Sequence, residues 1–342
     1  MTRKANWWVL INRSVALIIG ISIWCMGCSK SFGLETPSQS ATSVFNDIYD
    51  IMDKHYALFG VKQKDWILIR KKYEGLVNDS LDDSKLFDIC ADMLEELQDG
   101  HVSLQAPFRV STYDNFYKLF PVNFNFSVIE KKYLKDKLRT SGPFVYGVDG
   151  QIGYLHYSSF QDDYTDYQLE TVFSAFANTS GIIIDVRGNG GGIARNVNRL
   201  LRKLITSRQL TKYELQKKGP GHDQFSDPIA FYLDPGSNGY EKKVVLLTNR
   251  KCFSACNDFV SFVSSLGNVT VVGDQTGGGG SIPNSYVLVN GWKLQYSATV
   301  TLSSSKIPID TGIQPDFRIN ISPLEEAAGL DPILEKAISI LR

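Results

Sequence analysis

The chain has 342 residues, 43% of them hydrophobic and 21% charged, an ordinary globular composition that excludes a disordered or fibrous protein. Its length exceeds what one core needs and leaves room for an appended module. Lys plus Arg and Asp plus Glu are 36 each, so the basic excess of a nucleic-acid binder is absent and no nucleic-acid partner is expected.

Arg3, Lys4 and Arg13 precede an apolar run from Val15 to Met26. The run is shorter than the ~20 residues that span a bilayer as a helix, so it reads as the core of a signal peptide. It ends in Cys25-Met26-Gly27-Cys28-Ser29, similar to the lipobox of bacterial lipoproteins, with Cys25 where Leu is usual. Cleavage before Cys28 would free that thiol to carry lipid. The expectation is a signal peptide over residues 1–27 and a polar tether over 28–42, holding the protein to a membrane of the bacterial cell envelope. An uncleaved N-terminal anchor is the other reading. The first 27 residues carry three basic and no acidic groups, so their removal leaves a net charge of −3.

Residues 43–104 read as a small helical module. Val44, Ile48, Ile51 and Met52 share one face of a helix, Trp66 to Tyr73 begins another, and Leu86 to Leu97 makes a third, capped by Asp83 or Ser84. Residues 105–150 are rich in Phe, Tyr and Val and predict a few connecting strands. From Gln151 strand and helix alternate: a strand Ile152–Tyr157, a helix Tyr167–Phe176, then the continuous apolar strand Gly181–Val186. A helix carries Ile193, Val197, Leu200, Leu201, Leu204 and Ile205 on one face. Lys243–Thr248 is the next buried strand, before a helix from about Ser254 to Leu266 and a strand Val269–Val272. Tyr286–Leu302 predicts two strands and Asp331–Leu341 a closing helix. This order predicts a parallel-rich α/β layer over residues 151–342 with right-handed crossovers.

Chemistry in such sheets gathers at the carboxyl ends of strands. Three segments have that placement. Asp185 to Gly192 (DVRGNGGG) lets backbone amides approach a ligand or is simply a tight turn, and no Gly-Lys-Ser/Thr follows to make it a phosphate loop. In Cys252 to Asn257 (CFSACN), Ser254 is a helix N-cap or an exposed nucleophile. The third segment is Gly273 to Gly280 (GDQTGGGG). Cys90, Cys252 and Cys256 read as buried thiols, although a Cys252–Cys256 bridge is conceivable. The Cys and His residues show no metal-ligand spacing, and no cofactor is expected.

Taken in order, GYLHYSSF at Gly153, IIIDVRGNGGG at Ile182, TNRKCFSACNDF at Thr248, VVGDQTGGGG at Val271, DTGIQPD at Asp310 and LQDGHVSL at Leu97 resemble the S41 family of serine peptidases, the C-terminal processing and tricorn-core group. The resemblance implies a ClpP/crotonase-like α/β core with a mixed sheet and helices, a small N-terminal helical bundle, and hydrolysis of peptide bonds in a polypeptide substrate. Residue by residue it implies Ser254 as nucleophile and Ala255 as one oxyanion donor, with Gly191 as the second and Gly190 beside it. Processing proteases use a Lys within the third segment; Gly279 stands there, which excludes the Lys dyad. The tricorn-like branch uses a His from the helical module, matched by His101, a natural base near neutral pH. Gly100 stands where that branch has a hydroxyl before the His, with Ser103 a substitute. Asp310 lies near the position of the acid that orients the base. His55, His156 and His222 read as structural or exposed. The PDZ domain of many processing proteases needs ~80–90 residues, more than 105–150 can hold. A non-catalytic relative binding peptide or glycan in the same cleft is the alternative, and a crotonase-type acyl-transfer enzyme a third reading.

Overall fold

The structure is a computed structural model, and it describes residues 39–342. The segments expected as signal peptide and, up to residue 38, as tether lie outside the described residues, Cys28 included. Helix α1 (Ala41–His55) is capped by the Ser40 hydroxyl and buries Val44, Ile48, Ile51 and Met52, the stripe its periodicity predicts. A one-turn helix Phe59–Lys62 and helix α2 (Trp66–Tyr73) lead to α3 (Asp83–Glu95). The α3 cap is Asp82, whose carboxylate accepts from the Lys85 amide, rather than Asp83 or Ser84. Strands β1 (Ser103–Ala106) and β2 (Arg109–Thr112) follow, then β3 (Arg139–Ser141), β4 (Phe144–Asp149) and β5 (Ile152–Tyr157). Next come α4 (Asp166–Ala175), β6 (Gly181–Asp185), α5 (Ala194–Leu201), β7 (Gln209–Gln216), β8 (Ile229–Leu233) and β9 (Lys243–Thr248). The chain closes through α6 (Ala255–Val263), β10 (Val269–Gly273), β11 (Pro283–Val287), β12 (Lys293–Ser297), β13 (Thr299–Ser303), β14 (Phe317–Arg318) and α7 (Pro332–Leu341).

A seven-stranded sheet in the order β14-β10-β9-β6-β5-β4-β3 forms the centre of the α/β core. β14 through β5 run parallel, and β4 and β3 are antiparallel, giving a mixed sheet. Both faces are covered, so the inner strands alternate between two apolar layers. Ile182, Ile184, Val244 and Leu246 pack under α4, α5 and α6, while Ile183, Val245 and Leu247 pack under α7. The helical segment does not close its own core. Residues of α1 and α3 share one cluster with Leu104 of β1, Leu294 and Tyr296 of β12, and Val300 and Leu302 of β13. The four-stranded sheet β11-β12-β1-β2 thus pairs β1 and β2, which follow the N-terminal helices, with strands from late in the chain.

The hairpin β7–β8, which pairs with β13, is an element that hydropathy patterning did not reveal, because only Glu214 along β7 is fully buried. Residues 283–303 hold three strands rather than the two expected from Tyr286–Leu302. Cys90, Cys252 and Cys256 are all buried free thiols, so the 252–256 bridge is absent. Among the described residues no helix is long and apolar enough to cross a membrane.

Candidate active site

The three segments, two of them glycine-rich, meet at the carboxyl ends of β6, β9 and β10. The Phe253 amide donates to the Asn189 carbonyl at 3.2 Å, the Ser254 amide to the Gly278 carbonyl at 2.9 Å, and the Gly277 amide to the Cys252 carbonyl at 2.8 Å. Ser254 sits at the last residue before α6 with φ 56° and ψ −125°, a region non-glycine residues rarely enter. Its side chain caps nothing. The hydroxyl faces His101 instead, whose Nε2 lies 3.0 Å from Ser254 Oγ.

His101 is carried by the turn between α3 and β1. Asp99, 1% exposed, anchors that turn by accepting from the His101 amide at 2.8 Å, the Tyr56 hydroxyl at 3.0 Å and the Ser297 hydroxyl at 2.7 Å. The Gln295 side-chain amide of β12 donates to the His101 carbonyl at 3.0 Å. Burial disfavours the imidazolium and holds the His101 pKa below its ordinary value, against the opposing pull of Asp99, Asp310 and Asp258. The neutral ring that results suits a proton acceptor. Its Nδ1 is buried with no hydrogen-bond partner among the described residues.

Asp310 is brought to the same place, 3% exposed, at the end of the segment after β13. Its Oδ2 is 2.9 Å from the ammonium of Lys62, which also donates to the Gln98 carbonyl at 3.1 Å. No hydrogen bond joins Asp310 to His101 among the described residues. Burial, and then Asp99, push the Asp310 pKa above the usual carboxylate range, with Lys62 and His101 pulling it back. For Lys62, burial opposes the charge, but Asp310 and Asp99 outweigh it and the pKa is raised. Lys62, Tyr56, Asp99 and Ser297 were not singled out as site residues by the sequence. Their types are common, and the partners that give them meaning lie far along the chain.

The two departures from the family's motifs have one physical cause. Phe253 stacks on Phe116 with ring centroids 4.5 Å apart and meets the His101 ring at a tilt, 4.8 Å away. A Cβ on Gly100 would stand 2.7 Å from the Phe116 ring and 2.8 Å from the Phe253 ring. A Cβ on Gly279, at φ +76°, would overlap the Phe253 ring. The aromatic pair therefore occupies the room that a hydroxyl before the His and a Lys in the third segment would need. Ser103, on β1, makes no hydrogen bond to His101 among the described residues.

Of the three amides near the serine, Gly191 N–H donates to the Asn189 side-chain oxygen at 2.9 Å, and a Cβ on Gly191 would stand 2.9 Å from that of Ser254. The amides of Ala255 and Gly190 have no acceptor among the described residues. A cavity of about 340 Å³ opens beside Ala255, between α5 and α6, walled by Val197, Leu201, Phe231, Phe262 and Ile282. The Lys212–Asp258 ion pair, 2.6 Å, borders it. A cavity of about 430 Å³ at the opposite ends of the strands, beside Gln151 and Ser180, touches none of these residues. His156 is buried with Nδ1 3.0 Å from the Asp185 carbonyl, His222 pairs with Asp53, and His55 is exposed. Among the described residues no group of three or more His, Cys, Asp or Glu is placed to hold a metal.

A sequence model of peptidase family S41 matches residues 151–319, and one of the tricorn protease C1 domain matches residues 37–95. The tricorn protease of Thermoplasma acidophilum is 27% identical over 199 residues, which cover 56% of this chain and 17% of that protein. The chain thus spans less than a fifth of the length of this curated relative. A solved structure from Parabacteroides merdae, assigned as a peptidase, is 37% identical with a TM-score of 0.85, covering 89% of this chain and 97% of that one. Mature CPAF in complex with lactacystin shares the fold at 11% identity and a TM-score of 0.67, over 89% and 97% of the two chains. The chain belongs to peptidase family S41, in its tricorn-like branch.

Proposed function

We propose that the protein hydrolyses peptide bonds of unfolded or C-terminal polypeptide segments with Ser254 as nucleophile and His101 as general base. The observation that carries this reading is the 3.0 Å approach of His101 Nε2 to Ser254 Oγ, across two elements 153 residues apart. His101 Nε2 takes the hydroxyl proton as Oγ bonds to the scissile carbonyl carbon. The oxyanion is met by the Ala255 amide together with a glycine-loop amide, and Gly190 is the open one in this arrangement. His101 then gives its proton to the departing amine, and water repeats the sequence on the acyl-enzyme. Asp310 is the acid of the site, acting on His101 through the field of its carboxylate. The cavity beside Ala255 takes the substrate side chain on the acyl side. Processing through Cys28 would place this site at the surface of an envelope membrane.

The test compares residues 29–342 with the Ser254→Ala and His101→Ala variants on unfolded protein substrates, with intact-mass analysis of the products. Cleavage by the wild type alone is expected, and the fragment ends distinguish internal from C-terminal cutting. A folded wild type that cleaves nothing would favour the alternative, a cleft that binds peptide or glycan without turning it over. Labelling with radioactive palmitate in a bacterial host tests Cys28, and loss of label in Cys28→Ala is expected.

A further inference from the structure

We propose that Lys62 is a positioning residue of the catalytic site, tying the Asp310 carboxylate to the turn that carries His101. This rests on the reading of His101 as the base. Lys62 lies at the end of the one-turn helix Phe59–Lys62, in the N-terminal module and outside every motif of the catalytic segments. Its ammonium spans two parts of the site: Asp310 Oδ2 at 2.9 Å and the Gln98 carbonyl at 3.1 Å. Gln98 begins the turn Gln98-Asp99-Gly100-His101 and itself sits at φ 53°. One cation therefore bridges the acid and the base-bearing loop.

The arrangement answers a need the site itself creates. Asp310 is buried beside a second carboxylate, Asp99, and two buried carboxylates in one place favour proton uptake by one of them. Asp99 has three donors of its own, whereas Asp310 Oδ1 has no partner among the described residues. Lys62 is the cation that pulls the Asp310 carboxyl back toward its ionised form. With the hydroxyl position before the His closed by Phe116 and Phe253, no side chain there can link acid to base. Asp310 instead stabilises the imidazolium that forms during attack through space, and that works only while it is charged. The surroundings of Lys62 include Asp310 and Asp99, both electrostatically favourable to its ammonium.

The test is the pH profile of kcat/KM for wild type, Lys62→Met, Lys62→Arg and Asp310→Asn, each first shown to be folded by thermal melting. Lys62→Met is expected to lower kcat tenfold or more with little change in KM, and to move the acidic limb of kcat/KM to higher pH. Lys62→Arg is expected to restore the wild-type limb and much of the rate. The double variant Lys62→Met/Asp310→Asn should be no slower than Asp310→Asn alone, because the two act as one unit. A folded Lys62→Met with an unmoved limb, or an Arg variant as impaired as the Met variant, overturns the proposal. If Lys62→Met fails to fold, the Arg variant and the Asp310→Asn profile decide. His101→Ala retaining activity would instead overturn the base assignment, and leaves a result distinct from failure of the Lys62 role.

Discussion

The closure of the lysine position by Phe253 can be tested by putting the lysine back. In Gly279→Lys the new Cβ would stand about 2.3 Å from the nearest Phe253 ring carbon, and the residue must hold φ +76°. The positive φ costs ~1–2 kcal/mol for a side-chain-bearing residue. Displacing a packed ring adds overpacking of ~1–3 kcal/mol. The expected loss of stability is therefore about 2–5 kcal/mol, read by denaturant unfolding. Phe253→Ala makes room, so Gly279→Lys in that background should cost less than alone, with a coupling of at least ~0.5 kcal/mol. The lysine should not restore cleavage to His101→Ala, since the space from which it would reach Ser254 is filled. Gly279→Lys folding with unchanged stability, or rescuing His101→Ala, would refute the argument that packing of Phe253 decides which base this site uses.

Three further expectations concern Ser254, Asp99 and His101. Ser254→Gly relieves a backbone conformation costing ~1–3 kcal/mol, against ~0.5–1 kcal/mol of added unfolded-chain freedom, so it should be more stable than Ser254→Ala, which keeps the strain. Equal melting temperatures for the two inactive variants would refute it. Tyr56→Phe and Ser297→Ala each remove one donor from buried Asp99, and hydrogen bonds to a charged group are worth ~1.5–3 kcal/mol. Each variant should lose stability in that range and cleave more slowly, and a cleavage rate equal to wild type would show that the turn does not depend on this anchor. Because burial holds the His101 pKa down, the acidic limb of wild-type kcat/KM should fall below ~6.5, with activity lost as the pH drops through the lowered value. An acidic limb above that value would mean that another group controls it.

Much of the core could be read from the chain. Ile182 to Ile184 and Val244 to Leu247 are unbroken apolar runs, and a strand buried on both faces has no other way to be written. Ser254 and His101 were legible because each sits in a motif whose neighbours repeat the family's spacing, and the structure brings the two side chains together. The β7–β8 hairpin was not, since strands with one wet face and exposed apolar residues such as Phe231 and Tyr232 leave no clear alternation. Lys62 and Asp99 escaped for a different reason. A lysine in a helix and an aspartate before a glycine are everyday surface residues, and only the fold reveals that Lys62 is half-buried against Asp310 and that Asp99 is buried beneath the His101 turn. Gly191 illustrates a finer limit: the motif points to its amide, but the Asn189 side chain takes that hydrogen bond and leaves Gly190 open.

The missing lysine and the missing hydroxyl are better understood as one packing choice than as two losses. Phe253 immediately precedes Ser254, at the strained turn that presents that hydroxyl. Stacked on Phe116, it fills the ground beside Gly100 and Gly279 together and leaves His101 the side in contact with Ser254. Under the proposed mechanism the α/β core takes its base, His101, from the N-terminal module. That module cannot close its apolar core without β12 and β13, and β12 also supplies Gln295 and Ser297 to hold the His101 turn. The contacts that bury α1 and α3 are therefore the contacts that set the distance from His101 to Ser254. On this reading, mutations that loosen the apolar packing between the N-terminal helices and β12, such as Leu294→Ala, should slow cleavage before they unfold the chain, with kcat falling while the large sheet still melts as a unit.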